Sequence, residues 1–383
     1  MKHVILSGLF LIATSMSVCS QVKNGDEEKF DGKGHRIYSK AELLPFLDER
    51  PWPFIRLSDG SILMVKDNTF DISKDEGKTW TEYPMVDSAK FHIGGQYPIL
   101  TRKGTIIVGF SNLKEMSDLN WNTPTNSYDP NAKLPTYIMR SKDNGKTWSK
   151  PLKLHDEWTG ANRGMIETKD GHIVFSTMIM RNNPGRHCVL TYVSSDDGET
   201  WTASNVLDSP SSAGDHSGIM EADIIQLNDG KLWMLIRTNW DYFYESYSSD
   251  NGLTWSAYDK TNIDASSAPA AIRRLQSGRI VLVWNRLYHK GRNEIRRLGG
   301  IEGERMLCEV PSSWQRDELS LMYSDDDGKT WSSPVIIAAN ITPTDNPWRN
   351  WITYPYVYEI TKGMIWISTD AIKMAVRESD LPK

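Results

Sequence analysis

Seven side chains have the types needed for chemistry on an anionic compound: Arg50, Asp67, Arg186, Glu221, Arg237, Arg316 and Tyr354. A guanidinium is planar, permanently charged and bidentate toward a carboxylate. A carboxyl group moves a proton to or from a reacting atom. A tyrosine hydroxyl ordinarily ionises near pH ~10, so it attacks only when a base stands beside it. These residues are scattered from one end of the 383-residue chain to the other. They act together only if the fold gathers them.

The elements that must do this are marked by a repeat. The octapeptide Ser-x-Asp-x-Gly-x-Thr-Trp is found five times, with its aspartate at Asp75, Asp143, Asp196, Asp250 and Asp326. Each copy reads as a tight hairpin turn. The carboxylate accepts from backbone N–H groups a few residues on, and the glycine takes a left-handed conformation. The closing tryptophan is expected to bury its ring against the strands of its own unit. A recurring box of this kind signals one supersecondary unit repeated along the chain.

Upstream of each box lies a strand-like run, and before it a pair of runs joined by a glycine turn: Asp59-Gly60, Lys103-Gly104, Asp170-Gly171, Asp229-Gly230 and Ser277-Gly278. A sixth pair surrounds Lys362-Gly363 with no box after it. Six units of four antiparallel strands cannot each bury both faces alone, whereas a radial ring can. The chain therefore reads as all-β, a six-bladed β-propeller with five Asp-box hairpins over residues 49–383. Residues 21–48 form an N-terminal extension that packs on the outside. The longest loops, around 112–133 and 288–313, join second to third strands, where long loops are commonly functional or mobile.

Strand direction then supplies a ruler. In an antiparallel sheet the start of the first strand, the end of the second and the start of the third share one rim, and the box hairpins lie at the other. Counting nine residues back and seven forward from the turn glycine gives Glu221 and Arg237 in blade four, Tyr354 and Asp370 in blade six, and Pro51, beside Arg50, with Asp67 in blade one. Eight residues before a box serine gives Arg186 and Arg316. His216, five residues before Glu221, falls near the same rim. For any one of these residues a solvent-facing charge is the plainer alternative; for the set it is less so.

Composition narrows the partners. The formal net charge is −5 and the pI about 6.0, without a basic patch, so nucleic acid is not an expected partner. The 15 tryptophans are unusual, and exposed aromatic rings stack on sugar faces, although burial is the simpler use of them. Residues 1–20 have a basic start, an apolar run and small residues at Val18 and Ser20, as in a secretory signal. Export to the periplasm or medium follows, with lipid attachment at Cys19 as the alternative. No other stretch is long and apolar enough to span a membrane. Cys188 and Cys308 fall in different units and predict two ordinary thiols, with neither a metal site nor a cofactor. A monomer is expected.

The five boxes, the six units and the Glu221–Arg237 pair resemble the sialidase (neuraminidase) superfamily with BNR, or Asp-box, repeats, over roughly residues 50–375. That resemblance implies a glycan substrate ending in sialic acid or a related acidic sugar. It implies three arginines on the sugar carboxylate, which here fall on Arg50, Arg237 and Arg316; Arg186 and His216 are candidates for further substrate contact by their place at the rim. Tyr354 becomes the nucleophile, Glu221 its activating base and Asp67 the acid/base. A neutral tyrosine suits a substrate whose own carboxylate repels an anionic nucleophile. Blade one departs from the family: Arg50 is out of register by one residue, with Arg56 a rival, and Asp71 rivals Asp67. Two other classes remain open, a polysaccharide lyase acting on uronates and a non-catalytic glycan-binding propeller.

Overall fold

The computed structural model describes residues 28–44, 53–288, 294–300, 307–341 and 351–382. Six antiparallel sheets stand around a central axis. Their innermost strands are Phe54–Arg56, Ile93–Leu100, Asn162–Glu167, Met220–Gln226, Ala271–Arg274 and Tyr356–Thr361. Each packs against the first strands of both neighbouring blades, and blade six meets blade one. The expected six-bladed propeller is therefore what forms.

Sandwiching each sheet between two others buries both of its faces. Second strands accordingly lose the in-out alternation of a half-solvated sheet: Ile62–Val65 and Ile106–Asn112 are buried at every position. Packing between blades is tight. At Gly109 in blade two, any Cβ would run into the ring of Phe175 in blade three.

The boxes fold as their sequence predicts. In the second copy Ser141 Oγ donates to Asp143 and accepts from Gly145 N, while Asp143 accepts from Thr147 N at 2.8 Å and Thr147 Oγ1 at 2.6 Å. The left-handed backbone extends one residue further than expected, with φ 58° at Asn144 before φ 85° at Gly145. The tryptophans correct the expectation that each ring packs on its own unit. Trp148 of blade two lies edge-on to Phe70 of blade one. Trp255 of blade four donates Nε1 to Thr191 of blade three at 2.8 Å. Trp331 of blade five meets Trp233 of blade four. These boxes bind each blade to the preceding one.

The N-terminal segment packs on the outside, as strands. Glu42–Leu43 pairs with Lys373–Arg377 and is the outer strand of blade six. His35–Ile37 pairs with Val335–Asn340 and extends blade five, with Lys29–Phe30 beyond it. The Tyr38 hydroxyl donates to the Asp380 carbonyl at 2.6 Å. The two ends of the chain thus close the ring. The stretch 1–20 and Cys19 lie outside the described residues. No described helix is long and apolar enough to cross a membrane. Cys188 and Cys308 are buried free thiols.

Candidate functional site

At the rim opposite the boxes, blades four, five and six bring four of the predicted residues together. Met220 and Arg237 are register partners at the ends of the first two strands of blade four. One extra residue is then accommodated between Met220 and Asp223, a β-bulge that re-aims Glu221. Glu221 and the Arg237 guanidinium form a short, buried ion pair. The same Arg237 Nη1 reaches the Tyr354 hydroxyl at 3.3 Å. Arg237 also donates to Ser267 Oγ from Nε and Nη2, each at 3.2 Å.

Arg316 comes in from the third strand region of blade five. Its Nη2 donates to the Ser267 carbonyl at 2.6 Å, so Ser267 is shared by both guanidinium groups. The Arg316 head group lies 3.5 Å from the Trp314 ring centroid, 5.0 Å from Trp351 and 5.5 Å from Tyr354. An aromatic cage of this kind holds a cation by its ring quadrupoles while excluding water. Burial lowers the Arg316 pKa to about 10.

Glu221 is charged for a different balance of reasons. Burial, the largest effect, raises its pKa, but the charges of Arg237 and Arg163, the hydrogen bond from Arg237 and the charge of Arg316 bring it below the ordinary 4.5. Arg237 experiences the reverse. Burial weakens its charge, yet Glu221 and Tyr354 raise its pKa overall.

Two of these residues have strained backbones. Tyr354 has φ 54° and Glu221 φ 30°, a region that bulky side chains rarely occupy. Such strain persists only where surrounding contacts over-determine it, and it concentrates at functional sites. Here Asn285 supplies the restraint. Its Nδ2 donates to the carbonyls of Glu318 and Ile352, at 2.9 and 2.8 Å, and its Oδ1 accepts from Thr353 Oγ1 at 2.8 Å. Ile352 N is bonded in turn to the Arg316 carbonyl at 2.9 Å. The segment entering Tyr354 is thereby pinned to blade five.

Tyr354 opens onto a cavity of about 680 Å³ on the propeller axis, which Asp67 and Asp370 also line. Burial raises the Asp370 pKa, against the charges of Lys373, Arg163 and Arg316. The two rivals in blade one lie elsewhere. Arg56 is held at the box rim by Glu76 at 2.6 Å and by the Ile360 carbonyl at 2.8 Å. Asp71 is a buried mid-strand residue paired with Lys66 at 2.6 Å. Arg50 lies outside the described residues.

The other two predicted contacts do not join this group. Arg186 is bound to Asp208 at 2.6 and 2.7 Å, and together they line a separate cleft with Tyr128 and Glu157. Its position at the start of a third strand was counted correctly, but the loop carboxylate of Asp208 holds it there. His216 is half exposed, with Nδ1 on Asp215 at 2.8 Å. It reaches the site through its backbone, whose carbonyl accepts from Asn239 Nδ2, while Asn239 Oδ1 accepts from the Ser267 hydroxyl.

The cavity also holds residues that the rim count passed over: Arg163, Asp223 and Arg273. Asp223 and Arg273 are a buried pair at 2.6 Å. Burial pushes Asp223 up to about 7, against the backbone N–H groups of Ile272 and Ile224 and the charge of Arg163, and it pushes Arg273 down to about 10. Arg163 sits at a bulge in the first strand of blade three, between Asn162 and Gly164. Counting back from Gly171 in that blade would have reached Asn162 and identified its neighbour. Among the described residues no group of three or more His, Cys, Asp or Glu is placed to hold a metal ion.

Box-stapled blades around an axis, with buried arginines, a glutamate and a strained tyrosine at one end, define a propeller of the sialidase superfamily. The chain belongs to the BNR repeat-like domain family, whose model matches residues 122–367. A sialidase from Clostridium perfringens is 28% identical over 240 residues, which is 54% of this chain. The chain spans 60% of that relative's length. In overall shape it is similar to a protein of unknown function from Dyadobacter fermentans, with a TM-score of 0.60 and 17% identity over 90% of this chain and 98% of that one. It is also similar to the NanB sialidase from Streptococcus pneumoniae, with a TM-score of 0.57 and 12% identity over 89% of this chain and 70% of that one. These structural likenesses bear on the fold.

Proposed function

We propose that this chain is a sialidase-like exo-glycosidase that removes a terminal sialic acid or related acidic sugar from glycans, outside the cytoplasm. The observation that carries the reading is the meeting of Glu221 and the Tyr354 hydroxyl on one Arg237 nitrogen, at the mouth of a cavity that Asp67 lines. Arg237 and Arg316 take the sugar carboxylate. Tyr354 attacks the anomeric carbon as its phenolic proton passes toward Glu221, which is ionised at neutral pH. Asp67 protonates the departing glycosidic oxygen and then activates the water that releases the sugar. The strained Tyr354 backbone keeps the ring in its attacking pose without a rearrangement at each turnover.

The test is an aryl α-sialoside that releases a fluorescent phenol. The wild-type chain is expected to cleave it, and Tyr354→Phe to lose about 10²-fold or more in kcat with its fold intact. A Tyr354→Phe chain that retains wild-type turnover would remove tyrosine from the mechanism. A wild-type chain that binds acidic sugars but cleaves none would leave a binding protein.

A further inference from the structure

Glu221 is the least regular point of its strand. Pairing passes from Met220–Arg237 to Asp223–Leu235, which leaves Glu221 and Ala222 without register partners. The backbone φ of 30° at Glu221 is one that long side chains rarely adopt. A buried N–H in such a place needs an acceptor. The Glu221 N–H points to blade three and donates to the thioether Sδ of Met178 at 3.0 Å. Met178 itself is firmly placed. It lies near the end of the strand Ile173–Arg181, in register with Val189, with its own N–H on the Ala161 carbonyl at 3.1 Å. It is 3% exposed, and its methyl group and the His187 ring both abut Gly160. It does not line the axial cavity, so it does not touch a ligand bound there. A leucine of similar volume would fill the same space, but it would not accept the Glu221 N–H.

We infer that Met178 is a positioning residue: its sulfur accepts the Glu221 N–H and so holds the strained bulge in the conformation that sets the Glu221 carboxylate on Arg237, beside the Tyr354 hydroxyl. A strand of blade three thus fixes the aim of a base carried by blade four. For catalysis the inference rests on the glycosidase reading above; for the placing of Glu221 it does not. A bulge released from the sulfur relaxes toward ordinary backbone angles and turns the carboxylate away from the tyrosine. The charge is kept and the line of proton transfer is lost, so the loss falls on turnover and not on binding.

The experiment uses Met178→Leu, which keeps the volume and removes the acceptor, and Met178→Gln, which restores an acceptor as an amide oxygen. The amide NH2 of the glutamine has the His187 Nδ1 nearby, which is buried without a partner among the described residues, while His187 Nε2 bonds the Asp215 carbonyl at 2.8 Å. One arm needs no turnover. Urea midpoints are measured for wild type, Met178→Leu, Glu221→Gln and the double variant. Met178→Leu should lower the midpoint of the wild type, and lower that of Glu221→Gln by clearly less, because no carboxylate is left to place. A methionine that only fills space costs the same in both. The other arm is cleavage of the aryl α-sialoside. Met178→Leu should lose about 10-fold in kcat with KM nearly unchanged, and Met178→Gln should recover most of it. Equal midpoint shifts in the two backgrounds overturn the inference. So does wild-type turnover in Met178→Leu, or a glutamine variant no faster than the leucine one. If Met178→Leu does not fold, Met178→Gln decides alone, by turning over like the wild type or by failing to. Unequal shifts in a wild-type chain that cleaves no sialoside keep Met178 as the residue that places Glu221 and remove the glycosidase. Equal shifts with cleavage intact do the reverse.

Discussion

Replacing Glu221 with Gln removes the counter-charge of Arg237 while keeping the side chain's shape. Both side chains are nearly enclosed, at 8% and 6% exposure. After the change Arg237 faces only neutral oxygens, those of Ser267 and Tyr354. Arg163 and Arg316, whose charges also act on the Glu221 carboxyl, then repel Arg237 without compensation. Breaking one side of a buried pair costs about 3–5 kcal/mol, and this site belongs in that range. Chemical denaturation at neutral pH measures it. The pH dependence follows from the folded carboxyl titrating below 4.5. The Glu221 contribution is fully present above that value and fades as pH falls through the folded one, so wild type and variant converge in acid. The double variant Glu221→Gln/Arg237→Met should be more stable than Glu221→Gln alone, because it also removes the orphaned charge. A single-variant loss under about 1 kcal/mol, or a gap that widens as pH falls, would show that the pair is not the buried, charged element described.

Two further outcomes test the packing. Gly109→Ala should destabilise by about 1–3 kcal/mol, read by thermal or chemical unfolding, because the new methyl group meets the Phe175 ring across the blade interface. Trp255→Phe should lose about 1–3 kcal/mol by removing the buried donor to Thr191 Oγ1, while an equally conservative change at an exposed ring such as Tyr288 should be silent.

The propeller was legible because its signals are local. A serine, an aspartate and a glycine at fixed offsets close a turn wherever they occur, and five such turns index the strands. The ruler found Glu221, Arg237, Arg316 and Tyr354 because antiparallel pairing alone decides which strand ends share a rim. In blade three the same count lands on Asn162, beside Arg163, because a count fixes where a strand begins and not which side chain at a bulge turns toward the cavity. Asp223 and Arg273 lie inside their strands, where no count from the rim reaches. Arg186 was drawn in by register and held apart by Asp208, a partner that only the folded loop reveals. The tryptophans were assigned to their own units because sequence proximity says nothing about which neighbouring blade a turn faces. Glu42–Leu43 is too short to show a strand pattern.

The closing of blade six has a consequence for biosynthesis. Its outer strand, Glu42–Leu43, is made about 330 residues ahead of its partner, Lys373–Arg377. At roughly 5–20 residues per second the early strand waits on the order of tens of seconds before a mate emerges from the ribosome. Blades one to five can stack as they are made, the boxes of Trp148, Trp255 and Trp331 each catching the blade before, but the ring stays an open arc with two bare sheet faces and an unpaired early strand throughout. Bare apolar faces and an unpaired strand of this kind recruit other nascent chains. The completed molecule is therefore guarded by its own circularity, while the half-made one depends on whatever shields its two ends until they meet.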